Sequence, residues 1–469
     1  MRNYKIKYIL LTIAATLTWS CSDEFISPDP ISDAATNAFY KTGKDFNNAV
    51  VGCYDALQSN DQYGLAFDRV LGLRADDAVD DNASASSRAS DIDKFQASAA
   101  NTFIESAWKG TFIGISRCNI VINRIETIDV NAVDDIDTSL KNQLKAEAQF
   151  IRALIYFNAV RIWGDVPLVT TEQSVQQTNQ KILDKTLIRN SVSDVYAAIV
   201  EDLLFAEQNL PANNGVRATS GAAKALLGKV YLTQGDYPKA AAKLNEVIGG
   251  GYQLLPNVAH VFDVTKKNNA EIVFAVSYDK EQAGEGHAPW FSDSNFTIVP
   301  SSLLSAYDPS DARLPLVQTR PGTTGLIPGK FFDTEFNKQV GNDFPVLRYS
   351  DVLLMRAEAL NEVAYDSDDI NGDAFKLLNQ VRTRAGLTAY TNTDLANQQE
   401  FRDAVLLERK FELALEFDRW FDLVRTGTAI SEMAKVGQTI TTKDLLFPIP
   451  QSEIEIVNNP TGFPQNPGY

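Results

Sequence analysis

The sequence predicts an all-α protein, a scaffold of tetratricopeptide-repeat-type helix pairs broken by one loop-rich excursion containing little β structure. Three observations carry that prediction. Apolar residues recur at three- and four-residue spacing over most of the chain. Strand-like runs are scarce, the best being Glu271-Ile272-Val273-Phe274-Ala275-Val276-Ser277-Tyr278. One helix pair carries a repeat signature in which Leu227-Gly228, Tyr231, Gly235, Tyr237, Ala240, Leu244 and Val247 fit L-G-x-x-Y followed by A-x-x-x-F, with Leu replacing Phe.

Residues 1–20 read as an export signal. Arg2, Lys5 and Lys7 are its positive start, and Tyr8 to Leu17 its apolar stretch of about ten residues, too short to span a bilayer as a helix. Cys21 follows the small residue Ser20, the arrangement that lipoprotein processing requires, so the mature chain is expected to start at a lipidated Cys21. Thr18 stands where an aliphatic is usual, and an ordinary secretory signal with a chance cysteine is the bland alternative. Ser22-Asp23-Glu24 resembles the acidic signal that directs some Gram-negative lipoproteins to the outer face of the outer membrane. Residues 21–35 are read as a polar tether, and 36–469 as one helical domain.

Within that domain the periodicity predicts helices over 45–58, 102–125, 139–162, 191–208, 220–233, 238–248, 350–363 and 373–385, and over 399–426 with a break. In the repeat, Gly228 and Ala240 are small enough for two antiparallel helices to approach closely, while Tyr231 and Leu244 fill the space between them. Lys224 occupies the tryptophan slot of the repeat. A looser second unit runs from Leu353 to Glu358 and then through Ala374, Leu378 and Val381, and Ala146 to Trp163 looks like half of another. One such pair cannot bury its own apolar face, so several must stack. Gly, Pro, Ser and aromatics concentrate between about 255 and 345, which marks the loop-rich region expected to bind ligand.

Composition narrows the function classes. Losing the three signal cations takes the formal charge of the 469-residue chain from −17 to −20, which repels nucleic acid and anionic lipid. Beyond Cys21 only Cys53 and Cys118 remain, both in apolar helical stretches and expected as buried free thiols. His260 and His287 are the only histidines and lie far apart, which leaves no histidine metal cluster and little basis for a catalytic triad. No catalytic residue, metal or cofactor is expected, although 60 acidic residues leave a glycosidase-type carboxylate pair open.

Four blocks of residues resemble a known family. The first is Glu147-Ala148-Gln149-Phe150-Ile151-Arg152-Ala153-Leu154-Ile155-Tyr156-Phe157 with Trp163-Gly164-Asp165-Val166-Pro167-Leu168. The second is Val346-Leu347-Arg348-Tyr349-Ser350-Asp351-Val352-Leu353-Leu354-Met355 with Ala357-Glu358-Ala359. The third is Glu408-Arg409, Glu412-Leu413, Arg419-Trp420-Phe421-Asp422-Leu423 and Arg425, and the fourth Pro448-Ile449-Pro450, Glu453 and Gln465-Asn466-Pro467-Gly468-Tyr469. In this order they resemble the SusD/RagB family of outer-membrane nutrient-binding lipoproteins. Phe417-Asp418 departs from the glycine and polar residue usual there. The resemblance implies a monomeric helical scaffold that binds an oligomeric nutrient, usually a glycan, without cleaving it. It implies a surface-exposed, lipid-anchored protein that sits on a SusC-like TonB-dependent transporter.

Trp108, Trp163 and Trp420 fall on apolar helical faces or in the resembling blocks and are read as core. Trp290 and Phe291 differ, because Gly284-Glu285-Gly286-His287-Ala288-Pro289-Trp290-Phe291-Ser292-Asp293 reads as a loop, where a flat indole can stack on the C–H face of a sugar. The resemblance also points to the stretch from Asn60 to Phe95, which offers Tyr63, Phe67, Arg74 and Asp77, with Arg74 and Asp77 as a hydroxyl clamp or a surface ion pair. Asp76-Asp77-Ala78-Val79-Asp80-Asp81-Asn82 lacks the glycine and glutamate of a calcium loop and reads as solvated acid. The reading is thus a surface lipoprotein that takes up an oligosaccharide. Peptide uptake in the manner of RagB, a protein-protein scaffold and a hydrolase are its alternatives.

Overall fold

The computed structural model describes residues 39–80, 88–172, 187–282, 297–321, 326–333, 341–366 and 372–469. The signal segment, Cys21, Asp81, Asn82, His287, Trp290 and Phe291 lie outside them. Helix α1 (Gly43–Gln58) starts at a capping box in which Thr42 and Asp45 satisfy each other's backbone N–H groups. After α2 (Arg88–Asp93) come two long helices, α3 (Thr102–Glu126) and α4 (Thr138–Trp163), capped by the side chains of Asn101 and Asp137. Nearly every residue of α4 from Leu144 onward is buried, so the helix is a central post rather than an amphipathic one. Its polar residues are paired inside, Arg152 with Asp202 at 2.7 Å and with the Asn119 carbonyl oxygen at 2.7 Å.

Helices α5 (Val192–Asn209), α6 (Ser220–Thr233) and α7 (Tyr237–Ile248) continue the stack, α5 packing on α4, α6 on α5 and α7 on α6. The α6–α7 pair is the expected repeat. A Cβ on Gly228 would fall 2.6 Å from Leu244 Cγ, so any larger residue here would force Leu244 to shift at the crossing. Lys224, in the tryptophan slot, instead pairs with Glu246 at 3.0 Å.

The excursion contains short helices α8 (Ser301–Ala306) and α9 (Leu314–Val317) and three two-stranded antiparallel ribbons among the described residues. β1 (Val79–Asp80) pairs with β3 (Thr297–Ile298), β2 (Ile272–Val276) with β6 (Phe344–Arg348), and β4 (Thr319–Pro321) with β5 (Leu326–Pro328). β2 is the strand the sequence predicts, whereas β6 lies at the end of the loop-rich region and the start of the second resembling block, where no strand is expected.

Helix α10 (Tyr349–Val363) packs on α7 and pairs with α11 (Asp373–Arg384), the second, looser unit; α12 (Gln398–Glu412) closes over it. The break expected within 399–426 lies before α13 (Asp418–Arg425), where Leu415 and Phe417 adopt φ of +69° and +67°. Phe417 thus takes the left-handed conformation for which a glycine serves elsewhere, and its ring stacks on Phe344 at 4.5 Å. Two short helices, α14 (Ala429–Lys435) and α15 (Gln451–Val457), complete the chain.

The resembling blocks meet in the interior. Arg409, 2% exposed, bonds Asp351 at 2.6 Å and Asp422 at 2.8 Å, and Arg425 clasps Glu358. Arg348 bonds Glu271, Glu412 and Glu416, which locks β6 to α12 and to the residue before β2. Asn466 near the C-terminus donates to the carbonyls of Trp163 and Phe447. These charges are costly to bury singly and are tolerated because each is paired and hydrogen-bonded.

Candidate functional site

Of the stretch from Asn60 to Phe95 that the resemblance points to, residues 62–64 and 66–78 are buried in the interior. Tyr63, Phe67, Arg74 and Asp77 are each 4% exposed or less. Tyr63 accepts a 2.8 Å hydrogen bond from Asn158, and its ring meets Phe67 edge-on and tilts against Phe344. Burial pushes its hydroxyl up to about 12. A π-helical turn at Asp68–Gly72 carries the chain onward inside the body.

The Arg74–Asp77 clamp is not formed, and neither is a surface ion pair. Arg74 donates to the carbonyls of Ile92 and Asp444, and its guanidinium lies over Phe95 at 4.0 Å and Phe447 at 4.5 Å. Burial among those rings brings it down to about 10. Asp77 accepts the backbone N–H of Leu415 at 2.9 Å, and burial raises its carboxyl to about 6. Asp76, beside it, takes the cations, with Lys410 at 2.6 Å and Arg419 at 2.7 Å. These two acids are therefore scaffold rather than solvated loop. Sequence reasoning missed this because Asp and Arg at such density ordinarily mark a surface.

The three tryptophans read as core are core. Trp163 is fully enclosed, Trp420 and Trp108 are 2% and 3% exposed, and Trp108 meets Trp163 edge-on at 5.1 Å.

The structure does fix the stems of the segment that carries Trp290 and Phe291. On one side, β3 begins at Thr297, whose register partner in β1 is Asp80. The chain thus departs toward residue 81 and returns from residue 296 at one point on the body. On the other side, Asp343 accepts the Tyr278 N–H at 3.0 Å and Lys267 at 2.7 Å. Two residues farther on, Lys280 bonds the buried Asp333 at 2.8 Å, and the same carboxylate oxygen accepts the Gly341 N–H at 3.1 Å. Asp333 and Gly341 bracket residues 334–340, so Asp333 ties the stems of 283–296 and 334–340 together. No periodicity or motif announces Lys280, Asp333 or Asp343; only the Gly341-Asn342-Asp343 run hints at a chain reversal.

Comparison with known proteins agrees with this architecture. Residues 317–469 match the SusD family, and residues 32–232 match a family described as starch-binding and associating with the outer membrane. A SusD-like protein of Formosa agariphila, P2, is 27% identical across 100% of both chains. Another, from Bacteroides ovatus, is 25% identical and covers 90% of this chain and 82% of its own. The solved structure of a laminarin-binding SusD-like protein is 27% identical, covers 92% of this chain and 100% of that one, and has a TM-score of 0.75. A SusD homolog of Bacteroides thetaiotaomicron reaches a TM-score of 0.78 at 22% identity, over 92% of this chain and 98% of its own, a likeness of fold.

Proposed function

The chain belongs to the SusD family, and from that premise we propose that it is a lipid-anchored protein on the cell surface that captures an oligosaccharide or polysaccharide and delivers it to a SusC-like TonB-dependent transporter of the outer membrane. The observation that carries this reading is the stem geometry around residues 283–296. An aromatic pair, Trp290-Phe291, belongs to a segment whose two ends are held by the β1–β3 ribbon and by the Lys280–Asp333 ion pair. A binding loop held at both ends loses less conformational entropy on capturing a ligand. The laminarin-binding relative makes a glycan the first class to test.

Binding proceeds without cleavage in this reading. Carboxylates of the resembling blocks are engaged: Glu408 and Glu412 bond Arg313, Arg348 and Arg384, Asp351 and Asp422 bond Arg409, and Glu358 bonds Arg425. A glycosidase needs a pair free to trade protons across a bond.

A glycan array probed with the mature chain, run beside a peptide library and followed by calorimetric titration, tests the proposal. Trp290→Ala is expected to weaken glycan binding about 5- to 150-fold, roughly 1–3 kcal/mol, with the melting temperature nearly unchanged. An affinity within twofold of wild type removes Trp290 as the platform. Peptide binding with no glycan bound, or sugar products accumulating with protein concentration, overturns the uptake reading as stated.

A further inference from the structure

A cleft of about 270 Å³ opens beside β2, on the stretch where that strand runs into the stem of residues 283–296. One wall is the strand itself from Ile272 to Ser277, with Asp343; the other is made by the turns at 212–219 and 250–252, and Asn268 links the two by donating to the Gly215 carbonyl at 3.0 Å. The volume is close to the ~300 Å³ lower end of small-molecule sites, enough for a ring and not for a chain. At the lip, Gly215 and Gly251 have φ of +63° and +92° with open space where a Cβ would stand, so bare backbone faces the opening.

The chemistry of the lining is specific. Asn213 uses its carbonyl oxygen to cap Gly215, Asn268 uses its amide nitrogen, and Asp343 uses Oδ1 for Tyr278 and Lys267. That leaves the Asn213 amide nitrogen, the Asn268 carbonyl oxygen, the Ser277 hydroxyl and Asp343 Oδ2 without hydrogen-bond partners among the described residues. Two acceptors, one donor and one group that does both, beside the half-buried ring of Tyr252, suit vicinal hydroxyls, each of which donates and accepts. They do not suit an anion: Asp343 is itself anionic, Lys267 is paired with it, and Arg217 is paired with Glu147 at 2.6 Å through Nε and with Asn47 through Nη1, its one nitrogen without a partner, Nη2, being enclosed.

We propose that this cleft is a second subsite that holds one neutral sugar ring of the captured oligosaccharide. The proposal rests on the glycan-uptake reading and extends it, because Ser277 and Asp343 belong both to the cleft and to the stem from which the chain departs toward Trp290.

The test is a calorimetric ladder of laminari-oligosaccharides of two to seven glucose units, or the equivalent ladder of whichever glycan the array selects. It compares wild type with Asn213→Ala, Ser277→Val and their double variant. Wild-type affinity is expected to rise with chain length until the cleft fills. The double variant should lose about tenfold on the longest oligomer and less than twofold on the shortest that binds, with the single variants between. Should the double variant melt lower than wild type, either single variant carries the same comparison. Long-oligomer affinity within twofold of wild type in these variants overturns the subsite while leaving the uptake reading intact if Trp290→Ala still weakens binding. No glycan bound by the wild type overturns both.

Discussion

Asp76 and Asp77 are consecutive carboxylates in one buried segment, yet their environments drive them apart. Burial acts on both. At Asp76 the Arg419 and Lys410 partners outweigh it and bring the group down to about 2, whereas at Asp77 the single N–H from Leu415 does not, and the group rises to about 6. Because the folded value of Asp77 lies above its ordinary one, its favourable contribution is present in acid and is lost as pH rises through about 6. Asp77→Asn keeps an acceptor for Leu415 and removes a charge that is buried at neutral pH. It should stabilise the fold by about 1–3 kcal/mol at pH 7.5 and by almost nothing at pH 4. Thermal melts at the two pH values check this. Destabilisation at pH 7.5 would mean that the charge is used by Arg419 and Lys410.

Among the elements, the α6–α7 crossing tests the repeat most directly. Gly228→Leu places a branched side chain where Leu244 already sits, and should cost about 1–3 kcal/mol through overpacking. An unchanged melting temperature would show that α6 and α7 do not cross there. The helices were legible because their signals are local: Thr42-x-x-Asp45, Asn101, Asp137 and Thr219 cap them, and their apolar spacing persists for three or more turns. β6 was not, since Phe344-Pro345-Val346-Leu347-Arg348 has no alternation and becomes a strand only through pairing with β2. The burial of residues 63–77 was hidden for the same kind of reason. Arg74, Asp76 and Asp77 are tolerated inside through Asp444, Lys410, Arg419 and Leu415, partners more than 330 residues away in the chain. Of the candidate site, sequence could name the aromatic loop but not the ion pair and ribbon that hold its stems.

At the scale of the molecule, the question is what keeps a chain of formal charge −17 at a membrane. Among the described residues no helix is long and apolar enough to cross one, and the acidic surplus opposes adsorption to anionic lipid. The first described residues are Phe39 and Tyr40, and Tyr40 rests on Phe46 with the Arg124 guanidinium 4.9 Å from its ring. The anchor proposed here is Cys21, on the order of cations, short apolar run, Ser20 and Cys21 in the leading segment. An acylated cysteine contributes about 0.8 kcal/mol per buried CH₂, enough with more than one chain to hold a folded body at a membrane. Cys21→Ala should abolish incorporation of labelled fatty acid and move the protein from the membrane fraction to the soluble one, with its melting temperature unchanged. Fatty-acid labelling that persists in this variant would place the lipid on Cys53 or Cys118, whose burial in the folded body makes that outcome incompatible with an intact α1–α3 packing.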